Sequence, residues 1–455
     1  MAYTTTPGIP SAFQVATSEN YVSTLSLHKP EVAEDFVSRY GDQSLMGFLD
    51  SVGAMAPVSQ RKFEHYEDDW LHQNFTAAAV TIAAAGTSIT MANASSSNAA
   101  ADGSFFLRKG DIVQNKHGEI ALCTVRSTTD ATATLVPYKN AAWTPMAASD
   151  IYIIIGNEHE EGTGQPKGIT PTANHYENNT MILKDSFEVT GSEATNKIWF
   201  KVNDAATGKS GYLWYLKGEG DTYKRFNNYC ETQMLLGQVA TNTNLPGTIG
   251  AGGISGTEGL VDFMRSGNSQ TYTAGAFGTA QFDTMIKALD AQKGAKENTI
   301  WAGLDLSLDI DDSMMGTAQA TNGGVQYGAF NGNKEIALAF GFSSFSRGGY
   351  TFHKKIYDTL SYSPMMGATG FDYAGMGLVI PGDAGRDAKT RESIPSLRVR
   401  YKEAGGYSRK MEHWLTGSAG LANPTNDEDN MKAHYRTERG FEGFANNRFA
   451  LIELV

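Results

Sequence analysis

Residues 210–241 read SGYLWYLKGEGDTYKRFNNYCETQMLLGQVAT, the one long helix-like pattern in a chain otherwise written in strands, turns and glycines. Tyr212, Leu216, Tyr223, Phe226, Cys230 and Met234 recur at steps of three, four and seven, which places them on one helical face. Lys217, Asp221, Arg225, Asn228 and Thr232 fall on the opposite face. At a rise of about 1.5 Å per residue the whole stretch would form a rod of roughly 45 Å, long for a helix in a β-rich domain. The reading therefore predicts a spine against which other elements lean. Gly218 and Gly220 predict that its straight part begins near Asp221.

A chain of 455 residues with 41% hydrophobic content has room for two or three domains and a sizeable core. Its most apolar runs, 77–85 and 151–155, are far shorter than the about 20 residues of a membrane-spanning helix. Met1 to Pro10 shows no basic stretch followed by an apolar core, so no secretory signal is read there. Cys123 and Cys230 lie far apart inside expected secondary structure, which predicts reduced, buried thiols and synthesis in a reducing cytoplasm.

A formal net charge of -12 opposes a general grip on nucleic acid. The charge is uneven: from Arg386 to Arg448, 12 Lys and Arg face 9 Asp and Glu, leaving that segment at +3 and the rest at -15. So small an excess predicts pairing between subunits or a solvated face, not a nucleic-acid groove. The 49 glycines, 20 tyrosines and 22 phenylalanines fit sheets and tight turns.

Along the chain, residues 1–55 read as an extended arm with short helices at Pro30–Tyr40 and Gln43–Val52. A charged, aromatic extended segment follows from Lys62 to Phe75. Short β-like runs then appear at Ala79–Ile82, Ser88–Met91, Ile112–Asn115, Glu119–Ser127, Thr132–Tyr138 and Ile151–Gly156, parted by turn residues at Gly86, Gly110, Gly118 and Asp130. They predict a small inserted β-domain over 79–157. The flanking extended segments, 56–78 and 158–195, are placed to pair as the arms of one long hairpin, with Met181, Leu183, Phe187 and Val189 alternating with polar residues. Beyond the spine, Thr279–Gln292 reads as a helix with Phe282, Ile286 and Leu289 on one face. Asn298–Ile310, Lys334–Ser346, Gly349–Tyr362, Gly375–Pro381, Ser396–Tyr401 and Phe449–Val455 read as strands, with a hairpin at Ser346-Arg347-Gly348-Gly349.

No catalytic constellation emerges. Asn157-Glu158-His159-Glu160-Glu161 is dense in metal-ligand types but lies between a strand and a glycine loop, so a solvated loop is expected. Asp305, Asp309, Asp311 and Asp312 look calcium-like, yet Met314 and Ala320 stand where such a loop from Asp309 needs its glycine and its closing glutamate; an adventitious cation at subunit contacts is the remaining option. There is no Gly-x-Ser-x-Gly elbow, no Cys beside a His, no phosphate loop and no dinucleotide fingerprint; Gly250–Gly253 lacks a lysine. Trp199, Tyr212, Trp214 and Tyr215 have the chemistry to stack on sugar but fit packing beside the spine better. The reading assigns no catalytic, cofactor-binding or metal residues, no cofactor and no enzymatic activity.

In order, the chain is an N-terminal arm, a long hairpin, a long helix, a glycine-rich mixed domain and a return to a short final strand. Within it stand Phe63-Glu64-His65-Tyr66-Glu67-Asp68-Asp69, Lys109-Gly110-Asp111-Ile112-Val113, Gly118-Glu119-Ile120-Ala121 and Phe187-Glu188-Val189-Thr190-Gly191-Ser192-Glu193-Ala194. Later come Leu378-Val379-Ile380-Pro381, Ile394-Pro395-Ser396-Leu397-Arg398-Val399-Arg400-Tyr401 and Arg436-Thr437-Glu438-Arg439-Gly440-Phe441. This order resembles the major capsid proteins of tailed double-stranded DNA bacteriophages, with the Hong Kong ninety-seven type of fold. The resemblance implies an α+β capsid fold: an arm at 1–55, an extended hairpin loop at 56–78 and 158–195 and an inserted β-domain at 79–157. It further implies a peripheral domain with the spine at 196–245 and 385–455, and an axial domain at 246–384. It implies self-assembly into hexamers and pentamers of an icosahedral shell around the DNA genome, made in the bacterial cytoplasm, with portal and decoration proteins as further partners and no membrane. Some members crosslink through a lysine and an asparagine, which no motif here assigns; the short arm predicts neither a large scaffolding segment nor its cleavage. Two other readings stay open: a secreted or virion-attached β-rich glycan-binding protein, and an encapsulin-like compartment shell.

Overall fold

A computed structural model describes residues 54–68, 74–82, 89–93, 107–126, 132–139, 143–144, 150–166, 173–195, 197–203, 210–246, 253–319, 344–362, 366, 373–382, 385–386, 393–419 and 424–455. The short helices expected at Pro30–Tyr40 and Gln43–Val52 lie outside them. The chain divides into two compact units, residues 65–176 and residues 1–64 with 177–455.

Strands β1 (Met55–Val58) and β2 (Lys62–Asp68) precede the core of the smaller unit. There β3 (Asn74–Ile82), β4 (Ile89–Asn93), β5 (Asp111–Gln114), β6 (Ile120–Arg126), β7 (Thr132–Pro137) and β8 (Ile151–Asn157) close a barrel in the order β3-β4-β7-β6-β5-β8. Alternation accounts for it. Val113, Ala121, Cys123, Ala133, Leu135 and Tyr152 point inward and are buried with Ile89, Leu107 and Trp143. Tyr152 stacks on Trp143 at 6.3 Å between ring centroids, and burial, reinforced by the charge of Asp150, pushes its phenol up to about 12. Each of the six β-like runs read from the sequence in this region coincides with a strand, to within a few residues except at β3, which starts at Asn74.

β9 (Ala173–Asn179) pairs with β2 in a two-stranded sheet, but the rest of the expected second arm, Met181–Thr190, pairs instead with Asn430–Gly443 in the larger unit. β10 (Met181–Thr190), β11 (Lys197–Asn203) and β12 (Ser210–Leu213) lead into the long helix, Trp214–Leu236. Then follow β13 (Ser269–Tyr272), β14 (Glu297–Ala302), β15 (Ser344–Arg347), β16 (Tyr350–Ile356) and β17 (Gly377–Pro381). The last strands are β18 (Gly385–Arg386), β19 (Ser393–Ile394), β20 (Leu397–Ala404), β21 (Tyr407–Ser408), β22 (Glu412–Gly417), β23 (Asn430–Gly443) and β24 (Ala450–Leu454). Two sheets organise the larger unit. One runs β1-β20-β23-β10, with β22 on the other side of β23 and β21 paired to β20; the other runs β13-β24-β17-β14-β16-β15.

The spine differs from its expected limits at both ends. Ser210–Leu213 is a strand paired with β11, and the helix spans 23 residues, about 34 Å long. It starts at Trp214, not near Asp221, and runs through Gly218 and Gly220. The reason at Gly218 is packing: an added Cβ would sit 2.4 Å from the Phe187 ring, so the glycine lets β10 approach the helix. Phe226, Cys230 and Met234 are buried as the periodicity requires, and Phe226 and Cys230 pack on Ala433 and Tyr435 of β23. At the far end Gly237 N–H donates to Gln233 O at 2.9 Å, and Val239 bridges to Gly256.

A second difference concerns Asn298–Ile310. Leu304, Leu306, Leu308 and Ile310 alternate with Asp and Ser, a period of two that reads as a strand. In the structure β14 stops at Ala302 and a helix runs Leu304–Gln319. Leu306 and Ile310 are buried while Leu304 and Leu308 are about half exposed, so the period in use is four. Leu304 N–H donates to Ser361 Oγ at 2.9 Å, a helix start supplied from 57 residues away that no local pattern announces. The helix Thr279–Ala291 follows its reading, with Phe282, Met285, Ile286 and Leu289 buried. The run read at Gly349–Tyr362 is a strand only to Ile356, then a short helix, Asp358–Ser361. Of Lys334–Ser346, only the residues from Ser344 are described, as part of β15.

The β15–β16 hairpin registers Arg347 opposite Tyr350, leaving Gly348 and Gly349 as a two-residue turn with φ of 60° and 80°. Both angles are left-handed, which is why glycine occupies both places. Gly349→Ala meets no atom within 4 Å, so its cost is backbone strain alone, about 1 kcal/mol. Urea unfolding checks this; an unchanged midpoint would contradict the turn.

Candidate functional site

The larger unit carries a layer of buried charge where β20 and β23 meet. Arg398, Arg400 and Lys402 alternate along β20, and Glu438 and Glu442 along β23, so period two brings them to one face. Glu442 is 2% exposed and takes two hydrogen bonds from Arg400, at 2.7 and 3.1 Å. Glu438, 1% exposed, pairs with Arg409 and lies 3.7 Å from Lys402. Thr180, just before β10, donates its hydroxyl to Glu438 at 3.2 Å, and its N–H donates to Arg61 O at 2.8 Å. Gly440 lies between the two glutamates on this face; a Cβ there would come within 2.6 Å of Asn179 O and 2.9 Å of Phe63. The roots of β2 and β9 therefore seat directly on the charge layer.

A second cluster occupies the face of β22 and β23 turned away from the helix. Arg436 donates to Glu412 at 2.5 and 3.1 Å, and Tyr407 also donates to Glu412. Trp414 stacks on His434, with ring centroids 5.0 Å apart, and the Arg436 guanidinium lies 4.9 Å over the Trp414 ring. Lys432 pairs with Glu188 of β10 at 3.3 Å. On the helix side, His413 stacks on Tyr435 and meets the buried Glu219 at 3.0 Å, while Tyr357 donates to the buried Glu231. Arg400, Lys402, Arg409 and Arg436 thus pair with acids of the same segment, 386–448, and Lys432 with Glu188 outside it. The partners lie on strands too distant for one sequence to link.

The second cluster is acid-sensitive in a defined direction. Hydrogen bonding from Arg436 holds the Glu412 carboxyl below its usual range, and burial, with Lys432 nearby, holds the His434 imidazole below its own. Both folded values are depressed, so each stabilises above its unfolded value and that stability is lost as pH falls through the folded value. Melting temperature should fall from just below pH 6.5 through His434, and again below about 4.5 through Glu412. His434→Gln should remove the first step; if it persists in that variant, another group is responsible.

The candidates raised by the sequence are scattered. Glu158, His159, Glu160 and Glu161 are exposed after β8, with Glu158 accepting from Tyr138 and the His159 ring lying over Gly110. Asp305, Asp309, Asp311 and Asp312 ride on the helix Leu304–Gln319, where Asp311 pairs with Lys354 at 2.6 Å and Asp309 accepts from Gly275 N–H. Trp199 and Tyr212 fall on β11 and β12 and Trp214 and Tyr215 at the helix start, their side chains outside the described residues. Gly250–Gly252 are also outside them; Gly253 O accepts from Arg61 at 2.6 Å. Cys123 and Cys230 are both buried and unbridged, and burial pushes the Cys230 thiol up. Among the described residues no helix is long and apolar enough to cross a membrane.

Residues 103–300 match the Crassvirus major capsid protein family. The match takes in β5–β8, the hairpin return, the long helix and β14, somewhat under half of the chain. The resemblance to phage major capsid proteins read from the sequence stands. No curated protein matches the chain. Among solved structures, that of Gordonia phage Cozz shares 11% identity with 98% of each chain covered and a TM-score of 0.41. The asymmetric unit of the bacteriophage PhiM1 mature capsid shares 12% identity over 66% of this chain and 79% of that one, TM-score 0.35. The SrpI encapsulin complex from Synechococcus elongatus shares 9% identity over 62% and 77%, TM-score 0.34. The functional reading rests on the family match.

Proposed function

We propose that this chain is the structural subunit of a phage capsid, self-assembling into hexamers and pentamers of an icosahedral shell around double-stranded DNA. The observation that carries the reading is the capsid-family match across residues 103–300. In this reading the β2–β9 hairpin, with the barrel between its arms, is the extended loop. The sheets of the larger unit and the long helix form the peripheral and axial parts of the shell wall, over 196–245 with 385–455 and over 246–384. Its role is mechanical, not catalytic, and the charge layer under β2 and β9 supports that role by fixing the root of an arm that has to bear load. Other copies are its first partners, a portal and decoration proteins its next, and the virion capsid, assembled in the host cytoplasm, its location. The acidic net charge supports late DNA entry, because phosphate repels a subunit of charge -12 before packaging.

Negative-stain microscopy of the full chain expressed alone tests the reading. Closed shells, sheets or rings of six are expected. A persistent monomer across concentration and salt would overturn it.

A further inference from the structure

The sheet built on β23 carries a long open edge. Its order runs β1-β20-β23-β10, so β10 is bonded to β23 on one side and to no strand on the other. The opposite edge is blunted, because β1 is four residues long and holds Pro57. β10 has ten residues, no proline, no glycine and an unbroken register. Thr180 and Ser186 donate their N–H away from β23, to Arg61 O and Asp185 Oδ1, while Gly191 N–H turns back to Asp429 O. The even-numbered residues of the strand therefore present their backbone groups to the open side. Among the described residues, the N–H groups of Ile182, Lys184, Glu188 and Thr190 meet no acceptor, and all four residues are exposed. Such an edge is a template on which another strand can be added.

Charge along the edge says which strand fits. Lys184 stands directly opposite Arg436, whose guanidinium is held by Glu412, so it faces a like charge and has no ion pair among the described residues. Glu188, further along the same face, is half-exposed; its contact with Lys432 at 3.3 Å is a surface pair that leaves the carboxylate open to a second cation. Two copies of β10 joined edge to edge about a two-fold axis are antiparallel and pair even residues with even residues. Centred on Lys184 or on Glu188, they bring like charges together, and centred on Asp185 or Phe187 they leave both charges unmatched. Centred on Ser186, Lys184 of each copy faces Glu188 of the other, Ile182 faces Thr190, and the strands overlap along their whole length. A lysine on an open edge deters most strands; here it selects one that carries a glutamate at the matching place.

We propose that the open edge of β10 is a self-pairing edge, on which β10 of a second copy of this chain adds antiparallel across a two-fold axis at Ser186 and joins the two sheets into one. The Ser186 N–H exchanges Asp185 Oδ1 for the backbone carbonyl of the other copy, and Asp185 keeps its two bonds from Arg225. The inference goes beyond the shell reading, since it assigns one contact between copies and does not require the shell to close.

The full chain carrying Ser186→Cys tests it under a mild oxidant. Directly opposed residues of an antiparallel pair stand about 5.5 Å apart at Cα, within the span of a disulfide. Cys123 and Cys230 are buried, so the unsubstituted chain supplies the background. Ser186→Cys should run mostly as a covalent dimer on a non-reducing gel. Ile182→Cys and Thr190→Cys, each roughly 25 Å from its own copy across the axis, should stay near background alone and crosslink when the two chains are co-expressed. In the Ser186→Cys background, Lys184→Glu should weaken dimer formation on the order of tenfold. Co-expression with a chain carrying Glu188→Lys should restore it, since the mixed dimer again sets every acid against a base. No disulfide at 186 above background, or equal crosslinking of Ile182→Cys alone and with Thr190→Cys, overturns the proposal. Protection of all three cysteines from a maleimide without any disulfide also overturns it, because another segment then covers the edge. Shells that form without a disulfide at 186 overturn it while leaving the shell reading intact; a disulfide at 186 without shells supports it and counts against the shell reading alone.

Discussion

Phe226→Ala should lower the free energy of unfolding by about 3–5 kcal/mol, the range for removing a large aromatic from a rigid core. Phe226 is 0% exposed and lies 5.9 Å, ring to ring, from Tyr435 on β23. The cavity left behind would not collapse easily. β23 is bonded to β10 on one side and β22 on the other, so the floor of the site is fixed, while the helix above is tied to β10 by the Arg225–Asp185 pair at 2.9 Å. Urea unfolding by circular dichroism gives the number. A loss below about 1 kcal/mol would mean that the helix takes its support elsewhere.

Glu438→Ala should cost about 2–3 kcal/mol, because it removes a buried acceptor shared by two partly exposed cations and a hydroxyl. Arg409 and Lys402 both converge on Glu438, and Thr180 donates to it from the root of the hairpin. Glu438→Gln, which keeps an oxygen acceptor but not the charge, should recover part of the loss. The double-mutant cycle with Arg409→Ala separates the pair from its surroundings: coupling near zero would show that Arg409 is held by the backbone and not by Glu438. Beyond stability, Glu438→Ala should raise amide exchange at Arg61 and Thr180 before it affects the barrel.

The parts of the fold that were legible in the sequence are those set by local rules. Barrel strands announce themselves because inward Val113, Ala121, Cys123 and Leu135 alternate with polar or outer residues, and glycines stand at the turns. The Gly348-Gly349 hairpin and the buried face of Thr279–Ala291 are legible for the same reason. Where a contact distant in sequence decides, the reading fails. Gly218 reads as a helix breaker until Phe187 is seen against it, and the Leu304–Ile310 alternation reads as a strand until Ser361 caps it. The charge layer was invisible in kind. Its members were counted as a cation excess, but that Arg400 meets Glu442 and Arg409 meets Glu438 depends on a register between β20, β23 and the 405–410 turn that no single segment encodes. The isoleucines of β8 registered only as an apolar run, since which of them face out follows from closure of the barrel.

The order of strands also dictates a schedule. Every strand of the barrel has been synthesised once Asn157 is made, and even its longest pairing, β3 with β8, closes within residues 74–157. In the larger unit β1 waits for β20, β10 waits for β23, and β24 sits between β13 and β17 in its sheet, so neither sheet is complete until residues near 440–454 exist. At roughly 5–20 residues per second the interval is tens of seconds, and pairings of such long sequence separation form late and slowly. Pulse proteolysis of stalled nascent chains should find a protected fragment near 74–157 and nothing stable beyond it; early protection of β10 would contradict the schedule. A growing chain on this plan displays its barrel but has no finished wall to offer, so a polysome crowded with incomplete copies cannot join them through either sheet of the larger unit.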